Sequence, residues 1–340
     1  PDLRVKNINT GEESYHIQTS VNNAGQSDTI IVSNGTYFEN VVLNVQKITL
    51  RGPYANQLNE NVIIDSQDNG IAVTISKAEI KLFGFNITNS HEEEDVFTSS
   101  AVRVLSNGNT LSFNKVTNSY AGILLEDTSD NTISYNSIDD VDFGIVLTKA
   151  DDNQIRYNTI LDSEENDIEL TNTGYSTGSS GNTISHNEEI GVIKFINSDN
   201  NLLVAQDSTT INLVDSANVS AIGSTFDFVI CNSESSLYLK NYFRINVTRD
   251  GTPLEGVDLK VWDGDTTVYS TEYFEGSDDK TDSDGFVRNI LAIYKVYDGS
   301  SSGTENTTHI KVRYGDWFLS ESDIFDLSLI HISEPTRQLA

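Results

Sequence analysis

The chain has 340 residues, of which 37% are hydrophobic, so it is long enough to bury a large core and to divide into two domains. Its 51 Asp and Glu residues outnumber 21 Lys and Arg residues and give a net charge of −30. Such a charge repels nucleic-acid phosphates and anionic lipid, so neither is an expected partner. No run of 18 apolar residues occurs, and we expect no membrane insertion within this sequence.

The first predicted element is a short helix near the N-terminus. Ile17, Val21 and Ala24 fall on one helical face, and Gly25 ends the pattern. We interpret this helix as a cap, because an uncovered sheet edge at the end of a β-structure would pair with other chains.

Short strand-like segments follow the predicted cap. The segment 28–40 has the sequence Asp-Thr-Ile-Ile-Val-Ser-Asn-Gly-Thr-Tyr-Phe-Glu-Asn, and five apolar runs come after it at 41–43, 48–50, 62–64, 72–75 and 80–85. Each run is too short for a stable helix and has the length of a short strand. This part of the chain is therefore predicted to be β-structure.

Two motifs then repeat in step. Copies of an Asn-x-(Leu/Ile)-x-x-Asn motif begin at Asn109, Asn131, Asn153 and Asn182, with spacings of 22, 22 and 29 residues. The long spacing contains a seven-residue insertion in the segment 171–181. A second motif, Gly-Ile-Leu-Leu at 122–125, recurs at 144–147 and, as Asp-Ile-Glu-Leu, at 167–170. Repeats of this length are typical of solenoid proteins.

The repeats alternate apolar and polar residues, as Ile123 and Leu125 show, and Asn, Asp, Gly and Ser separate them. These patterns predict an all-β protein whose residues 1–235 form a right-handed parallel β-helix with about 22 residues per coil. Equivalent residues of successive coils would stack about 4.8 Å apart. A structural ladder of amides is therefore predicted for Asn114, Asn136, Asn158 and Asn187.

The same alternation of apolar and polar residues predicts the side-chain direction of the residue that precedes each Asn of the ladder. Phe113, Tyr135, Tyr157 and His186 have the parity of the apolar Leu111, Ile133, Ile155 and Ile184. We therefore expect these rings to form a stack inside the coils rather than a sugar-binding platform outside them. Ser112, Ser134, Arg156 and Ser185 are expected to point outward.

The helix, the 28–40 segment and the sequence Ile-Thr-Leu-Arg-Gly at 48–52 together resemble the prokaryotic parallel β-helix superfamily over residues 12 to about 215. That superfamily includes the copper-maturation family NosD and a domain class shared by carbohydrate-binding proteins and sugar hydrolases. The resemblance implies the fold and a prokaryotic protein, with an archaeal source as one option, that is secreted or held at the cell surface. It does not select a function, because such folds carry lyases, hydrolases, epimerases, adhesins and inert scaffolds.

The repeat stops near residue 235, and a small β-sandwich is predicted for 236–327. Alternating segments at 242–248, 257–262, 268–274, 286–292 and 309–314 are separated by turn sequences. The segments 251–257 and 281–285 resemble the immunoglobulin-like or carboxypeptidase-regulatory-like modules of secreted prokaryotic proteins. Asp282 and Asp284 are candidate calcium ligands, but Lys280 occupies a position where an EF-hand loop needs an acid. A hairpin turn is the better interpretation.

The C-terminal residues 328–340 and the single cysteine are not expected to have a functional role. Residues 328–340 depart from the preceding composition and look like translated adapter sequence, so we treat them as a non-native tail. The single cysteine, Cys231, follows the apolar run 226–230 and is interpreted as a small buried hydrophobe.

Candidate catalytic residues are few. Arg103 and Arg156 are the basic residues on predicted strands that suit a lyase base, and Asp139 and Asp140 are a carboxylate pair for acid–base chemistry. These Asp residues fall where turns already favour Asp. The Gly-His-Gly and Arg-x-Lys motifs of β-helix polygalacturonases and the Asp-Pro-His-Glu motif of alginate epimerases are absent. We therefore expect no catalysis.

The outward positions of the second motif are the candidate ligand-binding residues. They are Arg103, Glu126, Glu169 and Lys194, with Leu124 and Val146 between them. A mixed shallow groove there would favour glycan binding, whereas a carboxylate cluster around Arg103 or Arg156 would favour catalysis.

Three classes of function remain open from the sequence. The first is a non-catalytic secreted or surface protein that binds glycans, adheres or builds the cell envelope. The second is a polysaccharide lyase or glycoside hydrolase acting on the strand face, and the third is an attachment protein with a protein partner. No cofactor is expected, with calcium kept as an option. Copper handling is rejected, because the chain has no Met, one Cys and five scattered His residues.

Overall fold

The computed structural model describes residues 4–54, 57–90, 94–161, 163–249, 251–324 and 330–332, with side chains described up to residue 316. This part of the chain is nearly all β-structure. A right-handed parallel β-helix of about nine coils, with about 22 residues per coil, is followed by an antiparallel region. The predicted fold class is therefore confirmed.

Two compact units divide the chain. One comprises Pro1–Val219, Ser224–Ser236 and Gly299–Ser301, and the other comprises Ser220–Gly223, Leu237–Asp298 and Ser302–Ala340. The domain bounds 1–235 and 236–327 stay predictions. Most of the proposed tail at 328–340 lies outside the described residues.

In its described residues, the first unit consists of short strands and one helix. In chain order they are β1 (Val5–Asn7), β2 (Glu13–Ser14), α1 (Ile17–Asn22), β3 (Thr29–Val32), β4 (Gly35–Tyr37), β5 (Val41–Leu43), β6 (Thr49–Arg51), β7 (Val62–Asp65), β8 (Val73–Ile75), β9 (Lys81–Phe83), β10 (Asn86–Ser90), β11 (Ser100–Val104), β12 (Thr110–Ser112), β13 (Lys115–Glu126), β14 (Thr132–Ser134), β15 (Ser137–Thr148), β16 (Gln154–Arg156), β17 (Thr159–Leu161), β18 (Asn166–Thr171), β19 (Thr183–Ser185), β20 (Val192–Ile196), β21 (Asn201–Val204), β22 (Asp207–Val214), β23 (Asn218–Ile222) and β24 (Thr225–Cys231).

The N-terminal end of the solenoid is covered by α1 and by antiparallel pairing. β1 pairs with both β2 and β3, whereas β3 pairs with β6 in parallel. The helix buries Ile17 and Val21 and lies where the sequence predicts it. It ends at Asn22, so the half-buried Ala24 lies beyond it.

The coils present three strand faces. The ladder face runs in the order β3-β6-β9-β12-β14-β16-β19-β21-β23. The groove face contains β5, β8, β11, the C-terminal halves of β13 and β15, and then β18, β20, β22 and β24. A third face contains β4, β7, β10, the N-terminal halves of β13 and β15, and β17. The strands β13 and β15 turn the corner between faces at Asn118 and Asp140, whose φ angles are +50° and +55°.

Inward-facing apolar side chains of successive coils stack in register and form the core. On the ladder face, the stacked residues are Ile30, Leu50, Leu82, Leu111, Ile133, Ile155, Ile184 and Leu203. Each of these side chains is 0% exposed. The groove face contributes the equivalent stack Val73, Val102, Ile123, Ile145, Ile168, Ile193 and Ile211.

The predicted amide ladder is present at one corner of the coils. Asn136 Oδ1 accepts hydrogen bonds from the backbone N and the side-chain Nδ2 of Asn114, at 3.0 and 3.1 Å. Asn158 and Asn187 repeat this double contact, and the ladder continues to Gln206. The buried amides are thereby satisfied, which removes the cost of leaving buried polar groups unpaired.

A second ladder runs parallel to the first at the other end of the same strands. It consists of Asn109, Asn131, Asn153, Asn182 and Asn201, and each amide oxygen accepts from the backbone N of the preceding member at 2.8 to 3.0 Å. The first four of these residues begin the copies of the repeated motif in the sequence. The ladder face is thus bounded by hydrogen-bonded amides on both sides.

The prediction of an internal aromatic stack is wrong. Phe113, Tyr135, Tyr157 and His186 stack at centroid distances of 5.0 to 5.1 Å, but outside the coils, where Tyr135 is 46% and Tyr157 41% exposed. All four residues have φ angles between +53° and +57°. A left-handed residue at the corner breaks the strand alternation, so the ring turns outward. Ser134 and Ser185 are buried, and their outward direction stays a prediction.

The second unit contains two sheets of mainly antiparallel strands. Its strands are β25 (Ser236–Arg249), β26 (Thr252–Pro253), β27 (Asp258–Asp263), β28 (Thr266–Ser270), β29 (Phe286–Asp298), β30 (Thr304–Glu305), β31 (Thr307–Tyr314), β32 (Trp317–Ile324) and β33 (Ile330–Ile332), with a 3-10 helix at Glu272–Phe274. One sheet has the order β28-β27-β31-β32, and β25, β29 and β30 lie in the other. Val247 and Ile290 pack with Leu259, Val261 and Ile310 in one core, which is a small β-sandwich.

Candidate functional site

The outward positions of the groove face form one stack across the coils. Arg103, Leu124, Val146, Glu169 and Lys194 are paired in register from β11 to β20. The sequence predicts this alignment, because the second repeated motif places each residue one coil from the next. Unlike the inward stack, this column changes chemistry at almost every coil.

Two segments that depart from the regular coil flank this column. Val96 and Phe97, in the segment before β11, pack against Ala121, Leu124 and Val146. These outward apolar residues are therefore buried, with Leu124 0% and Val146 2% exposed. The 171–175 part of the insertion reaches the same face, where the Tyr175 hydroxyl contacts Glu126.

A groove of about 300 Å³ lies between these segments. Its lining is Glu94, Asp95, Val96, Phe97, Tyr120, Phe143, Val146, Thr148, Glu169, Thr171 and Thr173. The rings of Tyr120 and Phe143 meet edge to face, with centroids 5.6 Å apart. The groove thus combines an aromatic floor with hydroxyl and carboxylate groups, a composition common in small-molecule sites.

Arg103 is held beside the groove by three kinds of contact. Its Nε donates to Glu126 Oε2 at 2.7 Å, and its Nη2 lies 2.5 Å from the same oxygen. Its Nη1 donates to the Phe97 carbonyl at 2.9 Å, and the guanidinium lies 5.9 Å from the Phe97 ring centroid. The Tyr175 hydroxyl donates to Glu126 Oε1 at 3.0 Å, which links the 171–181 insertion to this pair.

Glu169 is the buried carboxylate of the groove, with 8% of its surface exposed. Its Oε2 accepts a hydrogen bond from Asn166 Nδ2 at 2.7 Å and lies 3.7 Å from Lys194 Nζ. Burial raises the pKa of Glu169, and the charge of Lys194 opposes this rise only in part. The net effect is a carboxylate whose negative charge is incompletely compensated.

Tyr120 stands among several carboxylates. Burial raises the pKa of its phenol, and the negative charges of Asp142, Glu94, Glu165 and Asp95 raise it further. Four carboxylates therefore lie close enough to one ring of the groove floor to act on it electrostatically.

Asp167 is a structural carboxylate that the sequence analysis did not single out. Its Oδ2 accepts hydrogen bonds from the backbone N atoms of Gly191 and Val192, both at 2.7 Å. The residue is 5% exposed, and burial raises its pKa. Asp167 occupies the position that Gly122 and Gly144 occupy in the two preceding coils. This change from Gly to Asp in the repeat could have identified Asp167 from the sequence.

The remaining candidates lie elsewhere. Arg156 is exposed on β16 of the ladder face, whereas Arg103 lies on β11 of the groove face, so the structure does not bring the two basic candidates together. Asp139 is paired with Thr117 on the third face, and Asp140 is the exposed corner residue next to it. The catalytic roles of these residues stay predictions.

In the second unit, Asp282 closes a turn. Its Oδ1 accepts hydrogen bonds from the backbone N of Asp284 at 3.0 Å and of Phe286 at 2.8 Å, and its Oδ2 pairs with Arg288. These contacts lower the pKa of Asp282, with the Phe286 bond as the largest cause. The carboxylate thus already has the partners of a turn residue, while a calcium role of Asp282 and Asp284 stays a prediction.

The sequence of the chain matches the model of a known protein family. A family model described as "Periplasmic copper-binding protein (NosD)" matches residues 21–276. The chain belongs to the NosD family. The match spans the β-helix and part of the second unit, and the family is a periplasmic one by its description. Within the described residues, no helix has the length and apolar content needed to cross a bilayer.

Two solved structures are similar to this chain at low identity. An alginate lyase from Paenibacillus sp. str. FPU-7 is 15% identical, with a TM-score of 0.47, over 62% of this chain and 92% of its own. Tailspike protein 2 of an Escherichia coli O157:H7 bacteriophage is 9% identical, with a TM-score of 0.33, over 90% of this chain and 60% of its own. Among curated proteins, no relative matches this member of the NosD family.

Proposed function

We propose that the chain is an exported, non-catalytic β-helix protein that binds a glycan in the groove of the groove face. The observation that carries this proposal is the composition of the groove, where Tyr120, Phe143 and Phe97 lie beside Thr148 and other polar groups. A sugar ring has an apolar face that stacks on aromatic rings and a rim of hydroxyls that needs hydrogen-bond partners. Family membership and the predicted surface location support a role outside the cytoplasm.

A lyase role is less well supported, because Arg103 is not suited to act as a base. Its guanidinium is engaged by Glu126, by the Phe97 carbonyl and by the Phe97 ring. A guanidinium offers no free lone pair to accept a substrate proton, and this one already donates its N–H groups to Glu126 and to the Phe97 carbonyl. We assign Arg103 to holding the 94–99 segment in place.

A hydrolase role would need two carboxylates on opposite sides of the scissile bond. Glu169 lines the groove and has a raised pKa, as a general acid requires. The nearby Glu126 is occupied by Arg103 and Tyr175. Glu126 is therefore not available as the second carboxylate, and binding without turnover is the function we propose.

Copper does not fit the described donor residues. Cys231 is buried and contacts the Ser235 carbonyl. His186 and His309 stack on Tyr157 and Trp262. In the part of the chain that the structure describes, no three of the His, Cys, Asp and Glu side chains are grouped to hold a metal ion. The proposal therefore includes no copper chemistry.

The test is calorimetric titration of the protein with neutral oligosaccharides, with and without calcium. We expect millimolar or tighter binding that weakens about tenfold in Phe143→Leu, which removes the ring and keeps an apolar side chain. The control is Phe274→Leu in the second unit, which should bind as wild type. The same mixtures are assayed for reducing ends and for unsaturated products. Absence of binding to every glycan would contradict the proposal, and turnover abolished by Glu169→Gln would make the protein a hydrolase.

A further inference from the structure

The groove has acidic side chains and, among its described lining residues, no basic ones. Glu94, Asp95 and Glu169 carry negative charge, and the remaining lining side chains are three rings, two valines and three threonines. The carboxylates of Asp142 and Glu165 add to the negative field at Tyr120. A ligand in this groove therefore meets aromatic faces in a negative potential.

The nearest described cations do not neutralise this field. Arg103 is paired with Glu126, which balances its charge outside the lining. Lys194 forms an ion pair with Glu169, with its Nζ 3.7 Å from Oε2, but its charge offsets only part of the effect of burial on the pKa of Glu169. Both partners described for Glu169, Asn166 and Lys194, approach Oε2. Glu169 lines the groove, so its second oxygen can accept a hydrogen bond from a donor carried by a ligand.

Aromatic rings and carboxylates favour the same class of ligand. The faces of aromatic rings attract ammonium groups, and a carboxylate in a partly desolvated groove attracts them more strongly than it does in water. A neutral sugar gains only the stacking and hydrogen-bond terms. A uronate would place a carboxylate beside Glu169 and is repelled.

We infer that the groove selects glycans that carry protonated primary amines, that is, amino sugars without N-acetyl groups. This inference rests on the proposed function and names its ligand class. The ring stacks on the floor formed by Tyr120 and Phe143, and the ammonium group donates to Glu169. The acidic groups around Tyr120 extend the attraction to the neighbouring sugar units of a chain.

The experiment compares two tetrasaccharides with the same ring and linkage, one of glucosamine and one of N-acetylglucosamine, by calorimetry at about pH 6, where the amines are protonated. We expect the glucosamine tetramer to bind about tenfold more tightly or better, and the difference to shrink at high salt. Glu169→Gln should remove most of this difference. Glu188→Gln, which loses an exposed carboxylate outside the groove, should keep it and so corrects for the general charge of the chain.

The outcomes separate the inference from the proposed function. Equal affinity for both tetramers would overturn the inference and leave glycan binding intact. Binding of neither would overturn the inference, and it would overturn the proposed function as well only if every other glycan tested also failed to bind. An unchanged preference in Glu169→Gln would also overturn the inference, because the selectivity would then come from the net charge. Spermidine distinguishes an amino sugar from any amine, since equally tight binding of spermidine would show that the sugar ring is not recognised.

Discussion

The ladder face and the groove face are built on the same coils but differ in how strictly they repeat. On the ladder face, Asn136, Asn158 and their equivalents keep the same residue type and the same bonds from coil to coil. On the groove face, the outward column changes from Arg103 through Val146 to Lys194. In this chain, residues that repeat from coil to coil therefore form the scaffold, and positions that depart from the repeat form the candidate site.

The largest expected effect is on the inward stack of the ladder face. Ile133→Asp should abolish folding, because it buries an unpaired charge between coils where the side chain is 0% exposed. Circular dichroism and solubility measure the effect, and Gln154→Asp, at an exposed position on β16, is the control that should melt as wild type. A cooperative wild-type-like melt of Ile133→Asp would contradict the inward assignment.

The matched change on the groove face should be milder. Val146→Asp also replaces a buried residue, but its cover is the segment with Val96 and Phe97 rather than a stacked coil. We expect this variant to fold, with a lowered melting temperature and a loss of glycan binding. Complete unfolding of Val146→Asp would show that the two faces do not differ in this respect.

The next effect concerns the amide ladder. Asn158→Ala removes the acceptor of both Asn136 donors and the donor to the Ile133 carbonyl. Leaving such buried groups unpaired should lower the free energy of unfolding by about 3 kcal/mol. Denaturant titration measures the change. Asn22→Ala, which removes an exposed side-chain bond to Gln18, should change it by less than about 0.5 kcal/mol.

A smaller effect is expected for the outer aromatic stack. Tyr157→Ala removes the ring between Tyr135 and His186, and since Tyr157 is 41% exposed, the loss should be about 1 kcal/mol. Tyr15→Ala, at a 66% exposed ring, is the control. A loss above about 3 kcal/mol would be the cost of a fully buried ring and would contradict the outward placement.

The smallest expected effect is an increase in stability, in the variant Glu169→Gln. The pKa of Glu169 is raised above its ordinary value of 4.5, so ionisation of this residue opposes folding. Its favourable contribution is fully present below that value and is lost as the pH rises through the raised pKa. Glu169→Gln should therefore melt at a higher temperature than wild type at about pH 8 and at the same temperature at about pH 4. A variant that melts lower at about pH 8 would contradict the incomplete compensation by Lys194.

Much of the fold could be predicted because it follows from the spacing of repeated residues along the sequence. The 22-residue repeat of Asn114, Asn136 and Asn158 fixes both the coil length and the ladder. The orientation of Tyr135 could not be predicted from alternation, because its left-handed backbone reverses the direction of the side chain. Positions with this conformation are seldom marked when the residue is not Gly, Asn or Asp.

The groove was predictable only in part. The register of Arg103 and Glu169 follows from the repeat, and both were candidates. Phe97 and Tyr120 were missed, because Phe97 lies in an irregular segment without a counterpart in the other coils, and Tyr120 carries no motif. Pairwise contacts across coils, such as that between Phe97 and Val146, depend on how a loop folds back and leave no periodic signal.

The amide ladders also govern how this protein can change. Successive partners in the first ladder are separated by 22, 22, 29 and 19 residues along the chain, yet every rung makes the same pair of bonds. Lengthening a coil by several residues adds only a fraction of a kcal/mol of loop entropy, about 0.6 kcal/mol for each doubling. The ladders thus keep the spacing between coils constant while the loops between ladder residues vary in length. A new recognition surface can arise by insertion alone, with every rung and every core contact left as it was.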